Sequence, residues 1–182
     1  MSALVKNEGA ISHVDQLQHL TFTLGGEMFA IGILSVKEII EYGQLTVVPM
    51  MPDCIRGVIN LRGAVVPVVD LRCRFSHQPT EITRRSCIVI IEAEADADGD
   101  KQDVGVIVDA VSEVLEIQPN DIEPPPAFGA KIRTDYIQGM GKIAGRFVII
   151  LNVNRVLSLD DLAMVVQATA QPDALMLREV TA

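Results

Sequence analysis

The sequence lacks the features that binding to nucleic acid or insertion into a membrane would require. Its 182 residues carry a formal net charge of -9, and its basic residues are not concentrated in any one stretch. Affinity for phosphates needs a basic footprint, so proteins are the expected partners. The N-terminus has no basic stretch followed by an apolar one, and the longest apolar runs are about five or six residues. The sequence therefore predicts a cytoplasmic protein that does not insert into the membrane.

Catalytic and metal-binding signatures are equally scarce. The three cysteines, Cys54, Cys73 and Cys87, are odd in number and form no C-x-x-C pair, so we expect reduced thiols rather than a disulfide framework or a zinc site. Asp70 and Asp109 each end an apolar strand, but no nucleophile or histidine accompanies them. No Walker loop, G-x-S-x-G or H-E-x-x-H motif occurs. The sequence predicts neither an enzyme nor a bound cofactor or metal.

Short β-strands dominate the predicted secondary structure. Apolar and polar residues alternate through Leu20–Leu24, Gly25-Gly26 interrupts them, and alternation resumes at Met28–Ile31, which indicates a hairpin. Other short runs rich in Val and Ile predict further strands; they are Val65–Val69, Ile88–Ile91, Val104–Val108 and Phe147–Leu151. Helices are predicted around Leu34–Ile40 and, after a capping pair at Ser158 and Asp161, over about 158–170.

The chain repeats itself. Residues 29–40 align with 104–115 at a constant offset of 75, and residues 57–75 align with 139–157 at an offset of 82. The change in offset places a seven-residue insertion between Pro126 and Gly139. Resemblance by chance is the alternative, because Val- and Ile-rich strands look alike. True repeats would be two copies of a small β unit, which closure into a barrel would protect from open edges.

Several motifs, in order, carry a resemblance to a known family. Asn60-Leu61-Arg62-Gly63 precedes the apolar strand ending at Asp70, with Thr21-Phe-Thr-Leu-Gly upstream and Gly105-Val-Ile-Val108-Asp109 downstream. Over about residues 17–165 the sequence resembles the CheW family of chemotaxis coupling proteins. The resemblance implies two tandem SH3-like five-stranded β-barrels, here about 17–80 and 81–157, with short helices and a C-terminal helix. Residues 1–16 and 171–182 are then tails.

The resemblance also implies the function. Members of this family are non-catalytic scaffolds that couple methyl-accepting chemoreceptors to a CheA-type histidine kinase in receptor arrays at the inner face of the membrane. The chain is too short to add a receiver or ATPase domain, so a stand-alone adaptor is expected. One alternative is an adaptor of a parallel pathway for surface motility or biofilm control. A small enzyme or ligand sensor that uses the groove between the barrels is a third hypothesis.

The family's receptor-binding positions fall on both repeats. Carried over by position, they are Ile33, Val36, Glu38, Ile39, Arg62, Cys87, Val111 and Val114. The receptor's helical tip would lie in a groove to which Val36 and Val111, equivalent in the repeats, both contribute. The apolar members could instead be core. Arg62, in a turn bounded by Gly63, could bind a partner carboxylate or tie loop carbonyls together.

Two further segments are implicated in contacts with the kinase. The family docks the kinase's regulatory domain on the first barrel, which here gives Val47, Met50, Met51, Ile55, Arg56 and Gly57. Methionines adapt to partner surfaces, but they are more often buried. Glu123 and Phe128, in the proline-rich loop of the second barrel, correspond to a second kinase contact in arrays. Glu123 stands where some relatives have a basic residue, so the partner's charge pattern does not follow from the resemblance.

The last candidate site is a run of acidic residues. Acidic residues alternate with Ala and Gly between Glu92 and Asp103, but the glutamate that closes an EF-hand calcium loop is missing. We interpret this run as a solvated hairpin tip.

Overall fold

The computed structural model describes residues 13–51, 54–76, 78–94, 100–125 and 136–157. Eleven strands dominate it: β1 (Gln18–Leu24), β2 (Glu27–Gly32), β3 (Val36–Glu41), β4 (Ile55–Leu61), β5 (Ala64–Asp70), β6 (Cys87–Glu94), β7 (Lys101–Val108), β8 (Ala110–Glu116), β9 (Ile122–Glu123), β10 (Ile137–Ile143) and β11 (Arg146–Leu151). Three short helices accompany them: α1 (His13–Leu17), α2 (Leu71–Ser76) and α3 (Val153–Val156). The mainly β class and the four predicted Val- and Ile-rich strands are confirmed.

The strands form two sheets that exchange their hairpins. One sheet has the order β3-β6-β7-β5-β4 and the other β8-β1-β2-β11-β10-β9. The first hairpin, β1–β2, therefore lies in the sheet built mainly from the second half of the chain. The hairpin β6–β7 lies in the sheet built mainly from the first half. The predicted division at residue 80 is therefore wrong for the sheets. Because the two units are copies, a hairpin fits either sheet equally well by pattern, and the sequence alone does not specify its partner.

Strand pairing confirms that the units are repeats. Val36 and Ile39 face Ile91 and Val89, and their equivalents Val111 and Val114 face Phe22 and Leu20. The parallel pair Val68 and Gly105 has its counterpart in Ile150 and Ala30. Bulges interrupt β4–β5 between Ile55 and Gly57 and β10–β11 between Ile137 and Gly139, 82 positions later. Matching registers and bulges exclude a chance resemblance.

Neither sheet is a fully closed hydrogen-bonded barrel, as far as the described residues show. In the five-stranded sheet β3 and β4 remain the edges. The chain after β3 nevertheless bends across to β4, where Thr46 and Val58 exchange backbone hydrogen bonds of 2.9 and 2.8 Å. In the other sheet β9 takes the corresponding place beside β10. This arrangement is consistent with the predicted SH3-like fold.

The apolar residues form three clusters. One lies within the five-stranded sheet and includes Val66 and Ile90, and another lies within the six-stranded sheet and includes Val148 and Ile150. The largest draws residues from both sheets, such as Phe22, Phe29 and Val106, and therefore joins them. Since each fully buried side chain of this size contributes about 1.5–3 kcal/mol, this joint is a main source of stability.

Two local predictions need correction. The helix predicted around Leu34–Ile40 is a single 3-10 turn, Ile33–Ser35, followed by β3, because β3 pairs with β6 and this tertiary contact overrides the three-residue apolar spacing. The predicted tail over 1–16 overlaps α1, which begins at His13. The predicted helix at 158–170 lies outside the described residues. Among those described, no helix is long and apolar enough to cross a membrane.

Candidate protein-binding surfaces

The two edge strands β3 and β8 carry matching apolar side chains. Val36 and Val111 are half-buried against the inter-sheet cluster. Ile39 and Val114 are 42% and 46% exposed. All four lie opposite buried residues of that cluster, and side chains directly opposite each other share a face. The four residues, which we call the edge-strand strips, therefore extend the inter-sheet core to the surface, one strip from each repeat.

Cys87 and Ile33 lie beside these strips. Cys87 begins β6 opposite Glu41 of β3, and both Cys87 and Ile33 are half-buried against the inter-sheet cluster. Burial raises the pKa of the Cys87 thiol, the Glu41 carboxylate adds to the effect, and a hydrogen bond with the Val111 backbone opposes it. Because Cys87 touches Val111 of β8 and pairs with β3, the two strips approach each other here.

Glu38 and Arg62 lie on the other face of β3. Glu38 is opposite Ile90, which belongs to the cluster inside the five-stranded sheet. The Nη1 of Arg62 donates to Oε2 of Glu38 at 2.7 Å, with 75% of the Arg62 side chain exposed. Arg62 has a φ of 53° in the β4–β5 turn. The structure thus joins these two predicted receptor-binding residues to each other and separates them from the edge-strand strips by the thickness of one strand.

The predicted kinase-binding segment divides into exposed and supporting residues. Val47 and Met50 are 75% and 79% exposed, Met50 in a turn with a φ of 63°, whereas Met51 is half-buried against the inter-sheet cluster. We call these three residues the methionine surface. Ile55 is only 8% exposed. At Gly57 a Cβ would lie 2.5 Å from the Thr46 carbonyl oxygen. Ile55 and Gly57 therefore support the surface from within and offer no side chain to a partner.

A buried carboxylate anchors this segment. Asp70 is fully buried; its Oδ2 accepts from Nη1 of Arg56 at 3.2 Å and from the Thr80 backbone at 2.8 Å. Its Oδ1 accepts from the Thr80 hydroxyl at 2.6 Å and from the Cys73 backbone at 3.2 Å. The four donors satisfy a charge that would otherwise be expensive to bury. Arg56 is therefore occupied internally. The sequence analysis did not predict this anchor. The alignment of Asp70 with Asn152 was a signal for it, because it puts a side-chain oxygen acceptor at the same position of both repeats.

Cys54 and Cys73 form a disulfide, with their Cα atoms 5.3 Å apart. The predicted set of three reduced thiols is therefore wrong, and only Cys87 is free. The β4–β5 hairpin and the first turn of α2 bring the two residues together across 19 positions of sequence. No local spacing motif encodes such an approach, which depends on the tertiary fold.

The remaining predicted positions lie in the second half of the chain. Glu123 is exposed in β9, opposite Met140. Phe128 and the middle of the acidic run, residues 95–99, lie outside the described residues. The flanks of that run are structured: Nζ of Lys37 lies 3.3 Å from Glu92 and 2.8 Å from Asp103, and Lys101 also pairs with Glu92. Acidic residues here fasten β3, β6 and β7 together.

Two hairpin-exchanged sheets leave apolar strips exposed at their edges, the kind of surface that protein-binding scaffolds present. Among the described residues no group of three or more His, Cys, Asp or Glu could hold a metal ion.

Comparison with known proteins specifies the class further. The family model of the CheW-like domain matches residues 18–161. The chemotaxis protein CheW of Klebsiella aerogenes is 36% identical over 148 residues, which span 81% of this chain and 86% of that protein. CheW of Bacillus subtilis is 37% identical over 139 residues, or 76% of this chain and 85% of that protein.

A solved structure supports the same family assignment. The crystal structure of the scaffolding protein TtCheW from Thermoanaerobacter tengcongensis is similar with a TM-score of 0.71 and 33% identity, covering 84% of this chain and 94% of that one. The chain belongs to the CheW-like family, and like the scaffolding proteins of that family it is not an enzyme.

Proposed function

We propose that this chemotaxis adaptor binds the cytoplasmic tip of methyl-accepting chemoreceptors at the edge-strand strips and the regulatory domain of a CheA-type histidine kinase at the methionine surface. It carries out no chemistry of its own. Its place is the cytoplasm, at the inner face of the membrane, where receptor arrays hold it. The observation that carries the proposal is the pair of exposed apolar residues, Ile39 and Val114, at equivalent positions of the two repeats.

The strips suit an α-helical partner. Each strip joins one half-buried and one exposed apolar residue on the same face of a strand. A helix that fills a groove presents apolar residues three and four positions apart, which two facing strips could cover together. Glu38 of β3 and its ion-pair partner Arg62 lie on the opposite face of that strand and supply charge beside the strip. Because each repeat contributes one strip, displacement of one sheet relative to the other would change the groove.

The methionine surface suits a second, independent partner. Its two most exposed residues, Val47 and Met50, lie above a segment fixed by Gly57, Arg56 and the buried Asp70. A flexible thioether on a fixed backbone adapts to a partner at little ordering cost. Glu123 and Phe128 keep the role of a second kinase contact, which would act when arrays assemble.

The deciding experiment compares pairwise binding with array assembly. We expect Met50→Ala to weaken binding to the isolated kinase regulatory domain by about tenfold, as loss of one buried apolar side chain does. Phe128→Ala should leave this pairwise affinity unchanged and reduce array formation with receptors, where repetition multiplies a weak contact. Ile82→Ala, which alters another exposed apolar residue, is the matched control and should change neither.

Other outcomes would reassign the surfaces. Equal losses for Phe128→Ala in both assays would make the proline-rich loop part of the pairwise interface. An unchanged affinity of Met50→Ala would remove the methionine surface from the kinase contact. Saturable binding of a small molecule, or turnover, by the isolated chain would contradict the adaptor function itself.

A further inference from the structure

The junction between β4 and α2 is built twice in this molecule, once with a disulfide and once without. In the first repeat the Asp70 backbone N–H donates to the Cys54 carbonyl at 2.7 Å, and Oδ1 of Asp70 accepts from the Cys73 N–H. In the second repeat the Asn152 N–H donates to the Tyr136 carbonyl at 2.8 Å. There Oδ1 of Asn152 accepts from the Arg155 N–H at 3.4 Å. Tyr136 and Arg155 stand 82 positions after Cys54 and Cys73.

The fold therefore does not need the disulfide. The second repeat closes the same junction with the same two hydrogen bonds, and its equivalent residues cannot form a disulfide. A covalent link added to a junction that is already closed has a different use from the staples of small domains, whose cores are insufficient without them. Disulfides in reducing compartments are mostly transient and redox-sensing.

The two cysteine residues differ in their exposure to solvent. Cys73 is 7% exposed, whereas Cys54 is only partly buried. An incoming thiolate would attack Sγ of Cys54, and Cys73 would leave as a thiolate and take up a proton. A second thiol of the same reductant would then displace Cys54 from the mixed disulfide. One dithiol reductant is thus oxidised to its disulfide as Cys54 and Cys73 become two thiols, and the reverse exchange restores the link.

We propose that Cys54 and Cys73 are a reversible thiol–disulfide switch that sets the affinity of the methionine surface for its partner, an inference that rests on the proposed kinase contact. Cys54 lies three residues after Met51 and directly before Ile55, so the link ties the end of this segment to α2. The oxidised form holds the methionine surface in one conformation and binds more tightly, because less conformational freedom is lost on binding. Reduction releases this restraint.

The first test needs no partner. The full chain is equilibrated in redox buffers of reduced and oxidised dithiothreitol, quenched with an alkylating agent and weighed by mass spectrometry. We expect one alkylated cysteine, Cys87, in the oxidised form and three in the reduced form. Three alkylated cysteines in every buffer would overturn the proposal.

The second test measures affinity for the kinase regulatory domain in both forms. We expect the oxidised form to bind about threefold to tenfold more tightly, the range that ordering one or two side chains supplies. Cys73→Ser should bind like the reduced wild type in both buffers, and Cys87→Ser should keep the full response. Equal affinities of the two wild-type forms would overturn the switch and leave the kinase contact in place. Absence of binding in both forms would overturn the kinase contact and, with it, the switch.

Discussion

The two β-hairpin turns at residues 62–63 and 144–145 share a backbone conformation and differ in their side chains. Arg62 and Gly63 have φ values of 53° and 86°, and Ala144 and Gly145 have values of 50° and 79°. A non-glycine residue with positive φ is uncommon, yet the turn forms with arginine or alanine. The turn therefore does not require the guanidinium, which is available for the ion pair with Glu38 and for a partner. Differences between equivalent positions show which side chains the fold can do without.

The largest expected effect is on stability. It comes from the two equivalent junctions, which are at Asp70 in the first repeat and at Asn152 in the second. Asp70→Ala should lower the free energy of unfolding by about 3 kcal/mol, because it removes a buried acceptor of four hydrogen bonds and leaves the Thr80 and Cys73 donors without it. Asn152→Ala removes only a helix cap and should lower it by about 1 kcal/mol. Urea unfolding followed by circular dichroism measures both. Equal losses would mean that the two junctions contribute alike.

The second prediction concerns the two edge-strand strips. Val36→Asp and Val111→Asp should each weaken receptor binding roughly a hundredfold and leave kinase binding mostly intact, since a charge without a partner in a desolvated groove costs a few kcal/mol. Titration of the adaptor with a receptor signalling fragment measures the first effect, and titration with the kinase regulatory domain measures the second.

Both valines also touch the inter-sheet cluster, so the same strands provide a control for folding. Ile39→Asp and Val114→Asp alter side chains that are 42% and 46% exposed and should weaken receptor binding without loss of structure. If the Val36 and Val111 variants unfold, these two side chains serve the core. Folded variants with unchanged receptor affinity would remove the strips from the receptor contact.

The third prediction returns to the turns. Arg62→Ala should change the free energy of unfolding by less than about 1 kcal/mol, because its ion pair is largely exposed and the alanine at 144 shows that the turn tolerates this residue. Receptor affinity should fall nonetheless. Ala144→Arg, the reverse change in the other repeat, should leave both quantities unchanged. A larger loss of stability in Arg62→Ala would make the arginine a structural residue.

The smallest effect is expected at the ion pairs that only one sheet has. Lys37, Glu92 and Asp103 correspond to Ser112, Thr23 and Met28 in the other sheet. Hydrogen bonds from Lys101 and Lys37 lower the pKa of Glu92, and hydrogen bonds to Asp103 and Glu92 raise the pKa of Lys37. A carboxylate with a lowered pKa stabilises the fold above its ordinary pKa, about 4.3, and loses this contribution as the pH falls further.

Replacement of Lys37 by Ser, the residue of the other sheet, measures this contribution. The variant should unfold at a slightly lower urea concentration than wild type at pH 7, and the difference should shrink below about pH 4.3 and in high salt. Ser112→Lys should have no such effect, because Thr23 and Met28 offer the new lysine no carboxylate. A difference that is independent of pH would show that Lys37 acts through packing.

Local patterns were sufficient to predict the strands and the repeat. The hairpin at Gly25-Gly26 follows from alternation interrupted by two glycines, which have φ values of 58° and 85°. The equivalence of Val36 and Val111 follows from the 75-residue offset, and strand pairing confirms it. The hairpin depends on residues that are close in sequence, and the repeat is visible when the chain is aligned with itself. Both could therefore be predicted from the sequence alone.

Features that depend on the tertiary fold were missed. The exchange of hairpins was not predictable because both pairings satisfy the same apolar pattern. The family resemblance predicts a contact surface that includes Ile55 and Gly57, but the bulge of β4 turns Ile55 inward and Thr46 packs against Gly57. Met50 and Met51 are adjacent and chemically identical, and only the turn at Met50 decides that one is exposed and the other half-buried.

The hairpin exchange has a consequence for the ancestry of the chain. A protein with a single repeat would hold a hairpin whose place is in another sheet, so it could complete its own sheet only by donating that hairpin to a second copy and accepting one in return. The repeats thus have the anatomy of a swapped homodimer whose subunits are fused end to end. Because both copies lie in one chain, the two units need not be identical, and a single adaptor can present different surfaces on its two sides.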